Sequence, residues 1–147
     1  MTRSKRMQPV VNVTANRERE AAQRLGECQQ RVQAAEQRLE ELIQYREEYT
    51  RQFANGGSLN TARLQDYRIF LGRLNQAVEQ QHVVLERARE ECAALRQRWL
   101  DMHTRAQALD KVVERYRDEE RSDQNRRDQK ETDEHGQTLR GRKNQDD

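Results

Sequence analysis

Proline and glycine are nearly absent from this chain of 147 residues, which has one proline and six glycines. β-Sandwiches, barrels and proline-rich linkers depend on these residues for their turns and extended segments, so such folds are excluded. Apolar residues are also few, at 33% hydrophobic and 5% aromatic, whereas a compact domain has about 45–50% apolar residues. The chain therefore has too few apolar residues to form a large three-dimensional core.

Long apolar runs are missing as well. None approaches the roughly 20 residues that a membrane span requires, and no apolar signal core follows the basic start. Two cysteines are too few for a disulfide framework. Charged residues are abundant but balanced, with 28 Lys and Arg against 26 Asp and Glu, which disfavours a dedicated phosphate binder. We expect a cytosolic, helical protein that buries only a narrow seam.

In the second half of the chain, seam positions recur at alternating steps of four and three residues. They are Tyr67, Leu71, Leu74, Val78, Gln81, Leu85, Ala88, Cys92, Leu95, Trp99, Met102, Ala106, Leu109, Val113 and Tyr116. An average step of 3.5 residues is the period of a left-handed coiled coil, because it keeps one stripe facing a partner helix. Only Gln81 is strongly polar, so the stripe predicts a long coiled-coil helix.

The first half repeats this stripe more weakly, from Leu25 to Phe53, with Arg46 as its break. Pro9 suits the first turn of a helix. We therefore predict a flexible basic N-terminus over 1–9 and helix 1 over 10–54. A glycine-rich turn follows over 55–63, where Ser58, Asn60 and Thr61 can cap a new helix. Helix 2 is predicted over 64–135, with a disordered tail over 136–147.

The fold class predicted is all-α: two long helices form an antiparallel coiled-coil hairpin, and helix 2 is longer than helix 1. A parallel dimer of separate coils is the alternative. The preferred register faces Cys28 with Cys92, and the next one faces Arg46 with Tyr67. If helix 1 starts near Val10, helix 2 overhangs beyond about residue 110. Its stripe would then lack an internal partner and offer a docking surface, unless it frays or pairs with a second copy.

Residue patterns for catalysis or metal binding are missing. His82, His103 and His135 are scattered, and no zinc, calcium or phosphate-loop spacing occurs. Two helices also offer no enclosed pocket in which carboxylates could acquire shifted pKa values. We therefore expect no enzymatic activity, no metal and no cofactor. Acidic residues interleave with the arginines, so we expect no nucleic-acid binding either.

Several large apolar residues lie beside the seam near the turn, among them Tyr45, Ile43, Phe70 and Ile69. In the preferred register one flank of the hairpin combines residues of both helices. These are Arg38, Leu42, Tyr45 and Tyr49 with Phe70, Leu74, Ala77 and Gln81. Exposed aromatic residues are enriched at recognition hot spots, so this flank is a candidate docking face. Alternatively, the aromatic residues only widen the seam where the hairpin needs clamping.

Three segments of the chain resemble the flagellar export protein family FliJ. Residues 42–49 read L-I-x-Y-x-x-E-Y, residues 67–81 read Y-x-x-F-x-x-x-L-x-x-A-V-E-x-Q, and residues 128–134 read D-Q-K-x-x-D-E. Length, the central glycine turn and the order of the segments also match. The resemblance is specific because it includes positions off the coiled-coil seam.

The resemblance implies a cytoplasmic coiled coil, peripheral to the inner membrane at the flagellar base and similar to the stalk subunit of rotary ATPases. Family members bind in the ring of the export ATPase (FliI), which has a regulator (FliH), and promote its assembly. They also contact the cytoplasmic domain of the export gate protein (FlhA) and are linked to export chaperones.

The resemblance also assigns residues to these contacts. The gate patch maps onto the eight residues of the docking face, although Gln81 stands where the family leads us to expect histidine, and His82 is adjacent. The ring contact maps onto the terminal end, with Val113 and Tyr116. The alternatives are a dimeric tether or scaffold, including an injectisome stalk counterpart, and a coiled-coil nucleic-acid binder.

Overall fold

The computed structural model describes residues 1–57 and 60–145, which form two helices and no strand. Helix α1 spans Arg3–Asn55 and helix α2 spans Thr61–Gln145, with 53 and 85 residues respectively. The prediction of an all-α chain with a longer second helix is confirmed. Within the described residues, neither helix is long and apolar enough to cross a membrane.

The turn between the helices requires its glycines. Gly57 has a φ of 79°, in the left-handed region that glycine adopts without steric cost. Gly56 lies against Arg63, whose guanidinium donates a hydrogen bond to the Gly56 carbonyl; a side chain at Gly56 would collide with that guanidinium. The side chain of Asn60 accepts a 2.7 Å hydrogen bond from the backbone N–H of Arg63 and so caps α2. Ser58, another of the three predicted caps, lies outside the described residues.

Helix α1 begins at Arg3, ahead of the start predicted at Val10, and Pro9 lies inside it. The reason is a polar contact with α2. The Glu120 carboxylate accepts hydrogen bonds from the backbone N–H of Ser4 at 3.0 Å and from its hydroxyl at 2.7 Å. The first amides of a helix have no partner within the helix, so Glu120 acts as a cap supplied by the other helix. These hydrogen bonds also hold the pKa of Glu120 below its ordinary value.

Helix α2 extends to Gln145, past the end predicted at residue 135. Side-chain pairs one turn apart lie on the turns that lead into this stretch, such as Gln124 with Asp128 at 3.0 Å and Arg121 with Asp118 at 2.7 Å. Such local pairs can stabilise a helix that has no apolar stripe. For this reason the period of the apolar residues does not predict how far α2 extends. The last two residues of the predicted tail lie outside the described range.

The helices divide into two compact units. The turn unit is Arg19–Asp101, and the terminal unit joins residues 1–18 to the chain from 102 onward. The core of the turn unit contains Ala35, Leu39, Val78 and Leu85, with Val32, Leu42 and Ile43 packed against it. Six of these seven side chains are branched and Ala35 is small, so branched side chains of both helices pack together around it, as dense packing requires.

Contacts across the seam of the turn unit define an antiparallel register. The Cys28 thiol donates to the Ala88 carbonyl at 3.7 Å and lies beside Cys92, and Arg46 donates to the side chain of Asn75 at 3.2 Å. This is the preferred register, and it excludes the one that faces Arg46 with Tyr67. The polar Gln81 is satisfied in the seam, because its side-chain amide donates to the Ala35 carbonyl at 3.2 Å.

The terminal unit corrects the predicted overhang. Because α1 begins at Arg3, it accompanies α2 as far as Glu120, well beyond residue 110. Val113 is only 4% exposed, and Val11 of α1 lines the same groove. The guanidinium of Arg3 lies 5.7 Å from the centre of the Tyr116 ring. Val113 is therefore a seam residue with an internal partner and not part of an uncovered stripe.

The cysteine pair gives a test of the register. Burial, aided by the neighbouring Cys28 thiol, raises the pKa of the Cys92 thiol to about 11. Because the thiolate is the reacting form, oxidation by oxidised glutathione should be slow and should accelerate about tenfold per pH unit between about pH 7 and pH 9. Mass spectrometry should show a single chain that has lost two hydrogens. Cys92→Ser should abolish this product, and exclusive formation of covalent dimers would contradict the register.

Candidate partner-binding surface near the turn

Five of the seven Phe, Tyr and Trp residues of the chain form one cluster in the turn unit. Tyr67 stacks on Phe53 with ring centres 3.7 Å apart and on Tyr49 at 5.6 Å. Phe70 packs tilted against Tyr49 at 4.5 Å and edge-on against Tyr45 at 6.1 Å. Edge-to-face and offset pairs are the favourable aromatic geometries, so the cluster clamps the two helices just above the turn.

Sequence spacing explains which aromatic residues are clamped and which reach the surface. Tyr49, Phe53 and Tyr67 occupy seam positions, whereas Tyr45 and Phe70 each immediately precede one. In an antiparallel pair these preceding positions of the two helices meet on the same flank of the seam. The contact between Tyr45 and Phe70 therefore marks one flank of the turn unit, which we call the aromatic flank.

The eight residues predicted for this face differ in exposure. Arg38 and Tyr45 are exposed, and the Tyr45 side chain is 50% accessible. Leu74 is only 7% exposed and belongs to the seam. The other five are partly buried: Leu42, Tyr49, Phe70, Ala77 and Gln81. The structure thus brings Tyr45, Tyr49 and Phe70 into direct contact, and it places Leu42 against the hydrophobic core.

Two exposed apolar residues extend the aromatic flank beyond the predicted set. Ile69 is 57% exposed and lines a shallow groove of about 440 Å³ with Tyr49, Asp66, Phe70 and Arg73. Val84 is 50% exposed and follows Phe70 and Ala77 at steps of seven residues, which place the three on one side of α2. That seven-residue step was the signal in the sequence that could have identified Val84.

The opposite flank near the turn is polar. A groove there is lined by Arg46, Glu47, Thr50, Arg51, Ala54, Leu71 and Asn75. Arg46 spans the seam to reach Asn75, so the break in the stripe of helix 1 becomes a polar link between the helices.

The two residues predicted to contact an ATPase ring lie in the terminal unit. Val113 is buried, and Tyr116 is partly buried with Arg3 over its ring. Within the described residues, no group of three His, Cys, Asp or Glu side chains could hold a metal ion.

Comparison with known proteins identifies one family. A family model described as "Flagellar FliJ protein" matches residues 3–145, and so covers both helices and the turn. No curated protein and no solved structure matches the chain significantly.

The aromatic cluster both clamps the two helices and presents a surface, and substitutions can separate these two roles. Phe70→Ala removes the contacts with Tyr45 and Tyr49 and should lower the free energy of unfolding by about 1–3 kcal/mol. Ile69→Ala is the matched control, because this neighbouring side chain is mostly exposed and should change stability by less than about 0.5 kcal/mol. Urea unfolding followed by circular dichroism measures both. Equal effects would show that the ring contacts do not clamp the hairpin.

Proposed function

This chain belongs to the flagellar FliJ family, and we propose that it acts as the central stalk of the flagellar export ATPase (FliI) ring. In this role it promotes assembly and activity of the ring and links it to the export gate (FlhA). The observation that carries the proposal is the family match over residues 3–145, because it spans the surfaces of both units. FliH and the export chaperones are proposed as further partners, and the proposed location is the cytoplasmic side of the inner membrane at the flagellar base.

The proposed gate contact is the aromatic flank. Tyr45 is half exposed but held edge-on by Phe70, so a partner can bury it with little loss of side-chain entropy. Arg38, a helical step of seven residues before Tyr45, adds an exposed cation. The side-chain amide of Gln81 donates a hydrogen bond to the Ala35 carbonyl, so Gln81 helps to support the contact surface.

The proposed ring contact uses the exposed side chains of the terminal unit around Tyr116 and beyond Glu120. Val113 contributes indirectly, because its burial keeps α1 and α2 together at this level. The ring hydrolyses ATP, and this chain needs no catalytic residue of its own. A packed two-helix seam resists bending. Each unit can therefore hold its contact surface in a defined orientation when a partner exerts force on it.

The gate contact predicts a specific loss of affinity. Tyr45→Ala should weaken binding to the cytoplasmic domain of FlhA by about 5–30-fold, the range of an aromatic hot spot. Leu100→Ala is the control, because Leu100 is similarly exposed on α2, at 46%, but directly follows the seam residue Trp99 and so lies off the aromatic flank. Calorimetric titration gives both affinities, and circular dichroism verifies the helix content. Unchanged affinity of a folded Tyr45→Ala variant would remove the aromatic flank from the gate contact.

The ring contact predicts stimulation of ATP hydrolysis. The rate of the cognate FliI should rise when this protein is added, in parallel with ring formation seen by electron microscopy. Arg115→Glu and Tyr116→Ala should reduce the stimulation, whereas Arg87→Glu, an exposed charge reversal in the turn unit, should leave it unchanged. An unchanged rate with the folded wild-type protein would refute the stalk. A mass of two chains in solution would then favour the dimeric tether.

A further inference from the structure

The beginning of α1 carries only one sign of side-chain charge. Arg3, Lys5, Arg6 and Arg17 are cationic, and no aspartate or glutamate precedes Glu18. The chain as a whole has a formal net charge of only +2. The excess of positive charge is therefore concentrated locally, in a segment that is helical from Arg3 onward.

Three of these cations share one side of α1 with two valines. Arg3, Arg6, Val10, Val13 and Arg17 are separated by steps of three and four residues, which place them in one row along a helix. The arginines are exposed, and the valines remain 48% and 49% exposed. We call this row the cationic strip. At about 1.5 Å per residue it is roughly 20 Å long.

Two carboxylates that contact this part of the terminal unit are already engaged within it. Glu120 accepts two hydrogen bonds from Ser4, and Glu18 pairs with His103. Arg3 lies over the Tyr116 ring, so one end of the strip is fixed. Within the described residues, Arg6 and Arg17 form no ion pair. Their charge is therefore available to an external anion.

We propose that the cationic strip binds the anionic surface of a phospholipid bilayer. Arginine presents a planar fork that matches a phosphate group bidentately. The helix lies along the membrane plane with its arginines at the headgroups, and Val10 and Val13 enter the apolar boundary between them. The positive end of the helix dipole at Arg3 adds to the attraction.

The valines distinguish a bilayer from a nucleic acid. Both ligands offer phosphates, but on a nucleic-acid backbone Val10 and Val13, at the centre of the strip, would face charge and water. A bilayer offers apolar volume directly beneath its charged layer, and the long arginine stems can bend toward the headgroups while the valines between them enter that volume. The proposal rests on the charges and exposures of α1 and is independent of the stalk role, since lipid binding is measured without the ATPase.

Vesicle sedimentation with the full chain tests the proposal. The protein should sediment with vesicles of equal parts phosphatidylglycerol and phosphatidylcholine and remain in solution with phosphatidylcholine alone. Each basic residue near an anionic membrane contributes about fivefold in partitioning, so Arg6→Glu with Arg17→Glu should lower the partition coefficient by at least about 25-fold. Val10→Ser with Val13→Ser should lower it by a smaller factor, about 2–5-fold, since only part of each side chain enters the interface.

The matched control is Arg126→Glu with Arg127→Glu, which makes the same charge change on exposed α2 and should leave the partition coefficient within about twofold. Circular dichroism verifies that each variant folds. Failure of the wild-type protein to sediment with anionic vesicles would overturn the proposal, as would an equal loss in the control. Stronger binding to polyuridylate that the valine substitutions leave unchanged would assign the strip to nucleic acid instead.

Discussion

The two helices are held together by a single row of side chains on each, and every surface of the protein depends on that row. On α1 its buried members are mostly small, with Ala21, Cys28 and Ala35 beside Leu39. On α2 they are branched: Leu74, Val78, Leu85 and Val113. Because a 3.5-residue period keeps each row facing the other, the positions beside the seam are fixed in space as well. The aromatic flank and the cationic strip are consequences of that spacing.

The period of the apolar stripe is enough to predict the fold class, the register and the flank that Tyr45 and Phe70 share. It could not give the ends of the helices. The start of α1 depends on Glu120, which bonds to Ser4 from the other helix, and no local pattern in the sequence connects them. Pro9 was interpreted as a helix start because that is its usual position, yet here it lies inside the helix. A helix that starts at Val10 instead of Arg3 leaves Val113 without a partner on α1, and this is why the sequence predicts an uncovered stripe there.

The candidate site shows why exposure is harder to predict than contact. The sequence placed eight residues on one face, but only Arg38 and Tyr45 are exposed. Five of the others are partly buried, and Leu74 belongs to the seam itself. The same aromatic cluster therefore stabilises the hairpin and presents a partner surface. In the terminal unit, lipid binding and ring binding would draw on neighbouring residues, and the two states are expected to exclude each other.

Sequence separation across the seam fixes the order in which the hairpin can close. Arg63 and Gly56 are 7 residues apart at the turn, whereas Ser4 and Glu120 are 116 apart. Loop closure becomes entropically more costly as the separation grows, so pairing that starts at the turn and advances by short steps avoids the cost of joining distant segments directly. During synthesis on the ribosome, α1 emerges before α2 and remains unpaired until α2 follows. Its N-terminal turns are the last to be paired, because the residue that caps them is synthesised near the end of the chain.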